Sequence, residues 1–330
     1  MPYLNFGSRL AMLLTAIAVS VSAQAQAPTQ SFPSKPVKWI VGYPAGGGSD
    51  FLARTVAAQM SVQLGQPVII DNRAGAGAII GAEATARSPG DGYTLFTADN
   101  GVLIYNPALY KRLPYDPERD FAPLGLMART PLLIVAAPNA GIRNARELMD
   151  VLKKNPGKLN YGSPGNGSPH HLAMELFKTR TAAFAVHVPY RGAAPAMQDV
   201  MGGQIPLMIV DTSTGMSAIK AGKLVPLVAF SAKRVSQLPD VPTMIELGYK
   251  DVEAYAWQGM VVPASTPNDI RQKLSQEMQA AVNNPGVRKK LEEAACESVP
   301  GDATLMSVYT LAETKKWHKL IRERGITLEQ

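Results

Sequence analysis

Short apolar runs alternate with longer stretches of helical spacing along most of the chain. Residues 37–42 form an apolar run that reads as a buried strand. A turn, Tyr43-Pro44-Ala45-Gly46-Gly47-Gly48-Ser49-Asp50, separates it from a helical pattern with Leu52, Ala53, Val56, Ala57, Met60 and Leu64 on one face. Gly65 closes that helix. The order then repeats, with a strand at 67–71, a loop at 72–77, a helix through Arg87 and a strand at 93–97. Such alternation predicts an α/β fold with a parallel sheet and right-handed crossovers. Ligands of such sheets sit beyond the carboxyl ends of the strands.

Between Asn106 and Pro138 the pattern breaks over six prolines, and residues 132–137 read as a fresh strand. A second α/β unit follows. Asn144 and Glu147 have the spacing of a capping box, and a strand at 158–161 precedes another glycine loop at 162–168. Ser168 and Pro169 supply an N-cap and a first helical residue. Strands at 184–188, 205–210 and 224–230 are expected next, the first ending in Pro189-Tyr190-Arg191-Gly192 and the second in Asp211-Thr212-Ser213. Residues 231–256 are turn-rich, 257–263 read as a returning strand, and 266–269 open helices that run to Ile326. The expectation is two domains. Residues 26–127 with 258–330 make the first and 128–257 the second, so the chain crosses between them twice.

Composition narrows the class. The 330 residues are 46% hydrophobic and 18% charged, which is ordinary globular content. The net charge of +7 comes from scattered Lys and Arg, with only Arg288-Lys289-Lys290 clustered, and this excludes a nucleic-acid footprint. Residues 1–25 have the form of an export signal: Arg9, an apolar run at 10–21, and Ala23-Gln24-Ala25 for cleavage near Ala25. The protein is therefore expected to be soluble and exported, as a monomer. Cys296 is the single cysteine, so no intrachain disulfide forms, and it reads as a buried small residue.

The glycine loop before the first helix aims backbone N–H groups and a positive helix end at one point, which suits an anion. No Lys follows the glycines, so it is not a nucleoside-triphosphate loop. The run from Gly75 to Gly81 is one residue too long for a dinucleotide fingerprint and follows the second strand. No Gly-x-Ser-x-Gly elbow occurs, which weakens an exported hydrolase. The four histidines, His170, His171, His187 and His318, show no metal-ligand spacing. No cofactor, metal or catalytic residue is expected. The remaining reading needs none: two glycine-rich helix starts, one per domain, hold the two ends of a small dianion, or one carboxylate and a polar group, with Ser49, Ser163 and Ser168 adding hydroxyls. A side chain at Gly47 is expected to block that approach.

These stretches carry a resemblance. The loop at 43–50 with Ala53-Arg54, Asp71-Asn72-Arg73-Ala74-Gly75, Asn106-Pro107-Ala108-Leu109-Tyr110, Tyr161-Gly162-Ser163-Pro164-Gly165, Val188-Pro189-Tyr190-Arg191-Gly192 and Pro239-Asp240-Val241-Pro242-Thr243 occur in this order. Together the chain resembles the Bug family, periplasmic receptors of tripartite tricarboxylate transporters. The resemblance implies a type II periplasmic-binding fold that closes on a dicarboxylate, tricarboxylate, acidic amino acid or aromatic acid. It implies membrane transporter components, or alternatively a sensor kinase, as partners. It nominates Tyr43, Ala45, Gly47 and Ser49 from the first loop, Asn100, and Ser163, Asn166, Gly167, Ser168, Tyr190 and Asp211 from the second domain. Two departures stand out. Asp99 lies in a segment where the family more often has Ser-Gly-Ser-His, and Tyr43 replaces a frequent Phe.

Overall fold

The structure is a computed structural model that describes residues 32–328. Its centre is a mixed sheet of ten strands with helices on both faces. Strand β1 (Val37–Val41) pairs in parallel with β2 (Val68–Asn72) and β3 (Thr94–Asp99). Strand β9 (Tyr255–Pro263) then runs antiparallel between β3 and β4 (Phe121–Ala136). Beyond β4 the sheet continues through β7 (Leu207–Asp211), β5 (Asn160–Ser163) and β6 (Val186–Pro189), while β8 (Val225–Ala229) flanks β4 on its other side. From Lys35 onward the chain is one compact unit.

Strand β4 joins the two halves of the sheet. Phe121 to Pro131 pair with β9, whereas Leu132 to Ala136 pair with β7. The sequence pattern predicts a break here and a new strand at 132, but the backbone runs on for sixteen residues through Pro123 and Pro131. Proline lacks the ladder N–H, so a strand tolerates it where pairing is already interrupted. Pro123 adjoins a register shift, and Pro131 sits where the partner changes from β9 to β7. The purely parallel sheet expected from the alternation is likewise corrected, since β4 and β9 are antiparallel to their neighbours. The expected domain boundaries after residues 127 and 257 both fall inside strands, β4 and β9.

Helix α1 (Gly48–Leu64) buries the six predicted apolar positions and ends in left-handed Gly65, φ +65°. Helices α2 (Ile79–Ala86), α3 (Asn106–Leu109), α4 (Pro117–Asp120) and α5 (Ala145–Lys154) follow, α5 capped by Asn144 Oδ1 accepting from Glu147 N at 2.9 Å. Helix α6 (Pro169–Thr181) is buried along nearly its whole length. Helices α7 (Ala193–Met201) and α8 (Thr212–Lys220) complete the second half of the sheet, and α9 (Asn268–Asn283), α10 (Pro285–Glu293) and α11 (Ala303–Arg324) return to the first. At the start of α9, Thr266 does not cap the helix as its position suggests, because its hydroxyl donates to Pro263 O instead. Trp39, Trp257 and Trp317 are fully buried in this core. No helix among the described residues is long and apolar enough to cross a membrane. The expected export signal lies outside them.

Candidate functional site

Four helices start at one edge of the sheet, and the N-cap of each borders the same cavity: Gly47 for α1, Ser168 for α6, Gly192 for α7 and Asp211 for α8. The strands β1, β5, β6 and β7 deliver the chain to these starts, so the cavity lies where strand carboxyl ends gather. Its floor is the sheet itself, with Asp99 of β3 opposite Gln258 of β9 and Thr130 of β4 opposite Ala256. The cavity measures about 70 Å³.

The four starts are not equivalent. Ser168 Oγ accepts from His171 N at 3.2 Å, and Asp211 Oδ1 accepts from Thr214 N at 2.9 Å, so α6 and α8 are capped by their own side chains. Helices α1 and α7 begin at glycines and have no side-chain cap. Their first N–H groups at Gly48, Ser49, Ala193 and Ala194 border the cavity without a capping oxygen. That is the chemistry of a carboxylate site.

The first loop is held by a small network around Asp50, the third residue of α1. Its carboxylate accepts from Gly46 N at 3.0 Å, from Arg54 Nε at 2.9 Å and from Asn72 Nδ2 at 3.0 Å. Asn72 Nδ2 also reaches Tyr43 O at 3.0 Å. Burial works to raise the Asp50 carboxyl, but the bonds from Arg54, Gly46 and Asn72 outweigh it and hold the group below its ordinary range. Asp50 and Arg54 of one motif and Asn72 of another thus shape one turn. Gly46, at φ +84°, is where that turn needs glycine.

Contacts across the sheet halves narrow the cavity. A Cβ on Gly48 would stand 2.7 Å from Ser213 Oγ and 2.8 Å from Asp211 Oδ1. One on Gly192 would stand 3.2 Å from Pro44 Cγ. Gly47, singled out from the sequence, has room by comparison: its Cβ would meet only Pro44 O, at 3.8 Å. The steric demand lies one residue later.

Electrostatics at the floor are set by two acids. Asp99 is buried, and desolvation pushes its carboxyl up against the bonds it accepts from Tyr43 Oη, at 2.7 Å, and Val102 N, at 3.0 Å. Burial and the neighbouring Asp99 push the Tyr43 phenol well above its usual value. Asp211 is also buried, which favours the neutral form, yet His170 and the hydroxyls of Ser213 and Thr214 hold its carboxyl below the ordinary range. His170 Nε2 lies 3.2 Å from Asp211 Oδ2.

Of the residues nominated from the sequence, Tyr43, Ala45, Gly47, Ser49, Ser168 and Asp211 line the cavity. The other five stand outside its lining. Asn100 is fully buried, donating to Tyr255 O and accepting from Trp257 N, and so braces β9. Ser163 Oγ accepts from Gly165 N at 3.1 Å and lies 2.6 Å from His187 Nε2. Asn166 is exposed, and Gly167 packs near Leu109 and Leu328. Tyr190 Oη donates to Asp199 Oδ2 at 2.6 Å. Sequence reasoning left out Gln258, which donates to Ser49 Oγ at 2.9 Å, and Thr130. Both come from the crossing strands, and no local pattern marks them. It also left out Gly48, Gly192 and His170, whose motifs were in plain sight. Among the described residues no group of His, Cys, Asp and Glu is arranged to hold a metal ion.

A family model for the receptor of the tripartite tricarboxylate transporter family matches residues 52–326. BugT of Bordetella pertussis is 31% identical over 323 residues, 98% of this chain and 99% of BugT. The solved structure of the periplasmic binding protein BugD is 32% identical, covering 91% of this chain and all of BugD, with a TM-score of 0.85. A protein of R. palustris solved with adipate gives 32% identity, the same coverage and a TM-score of 0.87. The architecture is therefore that of a periplasmic binding protein. These relatives are binding proteins and not enzymes.

Proposed function

The chain belongs to the receptor family of tripartite tricarboxylate transporters, and we propose that it captures a small carboxylate in this cavity and delivers it to such a transporter. The observation that carries the reading is the pair of uncapped helix starts, α1 and α7, that border one cavity. A carboxylate there receives N–H donors and two positive helix ends with no need for Lys or Arg. Neutral donors of this kind also let a ligand go when the cavity opens. The R. palustris relative solved with adipate supports the ligand class.

The proposed contacts are Tyr43, Ala45, Gly47 and Ser49 on one side and Ser168 and Asp211 on the other. Asn100, Ser163, Asn166, Gly167 and Tyr190 are assigned the shaping of the loops. The halves of the sheet are taken as two domains hinged at β4 and β9, with closure gaining the contacts of Pro44 to Gly192 and Gly48 to Asp211. Export to the periplasm follows from the leader, with cleavage near Ala25.

A thermal-shift screen of carboxylates tests the ligand class. A ligand at 100 times its Kd adds about 2.7 kcal/mol to stability and raises the melting midpoint. A midpoint unmoved by every carboxylate but raised by an uncharged solute removes the reading. Delivery is tested separately, by loss of uptake of the identified acid when this chain alone is deleted.

A further inference from the structure

Neighbouring residues of a strand point to opposite faces of the sheet. Thr130 of β4 and Ala256 of β9 face the ligand cavity, whereas Arg129, Pro131 and Tyr255 beside them line a groove on the other face. The groove measures about 600 Å³, against about 70 Å³ for the cavity. Its walls come from both halves of the sheet. One wall is the loop 232–237 after β8; the other is α10 with a short strand, β10 (Glu297–Ser298), which pairs with Ala128 and Arg129. Gln237 Nε2 donates to Glu292 O from one wall to the other. Thr212, next to Asp211 of the ligand cavity, donates its hydroxyl to Ala295 O at 2.7 Å, so the groove lies one hydrogen bond from the cavity wall.

Four cations line this groove, Arg129, Lys233, Arg234 and Arg288, against two acids, Glu292 and Glu297. Arg129 is held by Glu297 at 2.6 Å and lies over the Tyr255 ring, 4.2 Å from its centroid. Arg234 is held by Glu246 at 2.9 Å. Lys233 and Arg288, on opposite walls, are exposed and have no ion-pair partner among the described residues. Arg288 opens the cation run Arg288-Lys289-Lys290, for which carboxylate capture has no use.

We propose that this groove docks an acidic, extended segment of a protein partner, with Lys233 and Arg288 as its charge contacts. A small anion fills little of such a space, whereas a segment with several carboxylates fills it and reaches cations on both walls. Arginine and tyrosine, stacked here as Arg129 and Tyr255, are residue types enriched at protein interfaces. A partner seated on both halves also distinguishes the closed receptor from the open one. That second property rests on the carboxylate reading and its hinge; the docking does not.

The test is fluorescence anisotropy of a labelled hexaglutamate peptide added to the purified protein at about 0.15 M salt. Lys233→Glu with Arg288→Glu is expected to weaken the peptide about tenfold or more. Lys111→Glu with Arg112→Glu makes the same change of charge outside the groove. It is expected to stay within about threefold of the native protein, which separates docking from general attraction to a basic chain. Circular dichroism checks that both double variants fold. A saturating acid from the carboxylate screen is expected to tighten the peptide about fivefold or more. Absence of peptide binding to the native protein, or equal loss in the two double variants, overturns the docking. So does a groove variant that loses phosphatidylglycerol vesicles but keeps the peptide, which assigns the groove to a membrane surface. Peptide affinity unmoved by bound acid overturns the reading of closure. A screen that finds no acid removes the carboxylate reading, and the two double variants still decide the docking.

Discussion

At the scale of single residues, the cavity depends on side chains that never face a ligand. Asp50 is the clearest case, because its carboxylate ties the Gly46 amide, Arg54 and Asn72 together. Asp50→Ala takes the acceptor from the part-buried Gly46 amide and from Arg54 Nε, while Asn72 keeps its bond to Tyr43 O. The expected cost is about 1–3 kcal/mol in urea unfolding, with ligand affinity reduced at least tenfold, about 1.4 kcal/mol, as the loop loses its shape. Unchanged affinity in a destabilised variant would show that the loop holds without Asp50. The glycines allow a sharper comparison. Gly48→Val collides with Asp211 and Ser213, whereas Gly47→Val meets only a distant carbonyl within the protein. Binding is expected to be abolished by the first and weakened less by the second, as read by calorimetry. The reverse order would place the critical approach at Gly47 after all.

At the scale of elements, helix α6 and strand β6 carry a pH dependence. The rings of His171 and His187 stack with centroids 4.2 Å apart. Burial lowers His171 to about 4, with Glu175 opposing and Lys178 assisting, and burial together with His171 and Lys178 lowers His187 to about 3. The unfolded chain therefore binds protons near pH 6.5 that the folded chain refuses. Stability is complete above that value and falls as pH drops toward 4. For His171 the loss is on the order of 3 kcal/mol. Asp99 has the opposite sign, since its raised carboxyl favours the folded state as it protonates. Urea midpoints at pH 7.5, 6 and 5 should decline in that order, and a flat profile would contradict the buried neutral pair.

The same elements indicate what the sequence made legible. The apolar spacing of α1, its Gly65 stop, the Asn144 cap and the Ser168–Pro169 start are local signals, and each was readable. Strand β4 was not, because Pro123 and Pro131 mark a break in any local reading and only its neighbours reveal one strand. Parallel and antiparallel buried strands also look alike in sequence, so β9 gave no sign of its direction. At the site, the loops at 43–50 and 162–168 were legible as helix starts. Gln258 and Thr130 reach the floor only through long-range pairing.

At the scale of the whole molecule, β4 and β9 are the strands by which the chain passes between the halves, and under the proposed hinge a ligand enters the cavity when those halves part. Scattering should give a smaller radius of gyration with bound carboxylate than without, and Gly48→Val should stay at the larger value. Equal radii in both states would argue for a rigid pocket. The central claim is that the carboxylate is held by the uncapped starts of α1 and α7. A crystal structure of the complex with the acid selected by the screen tests it most directly. The account expects carboxylate oxygens about 2.7–3.2 Å from the N–H groups of Gly48 or Ser49, or of Ala193 or Ala194. A carboxylate seated instead on lysine or arginine side chains, or outside this cavity, would contradict it.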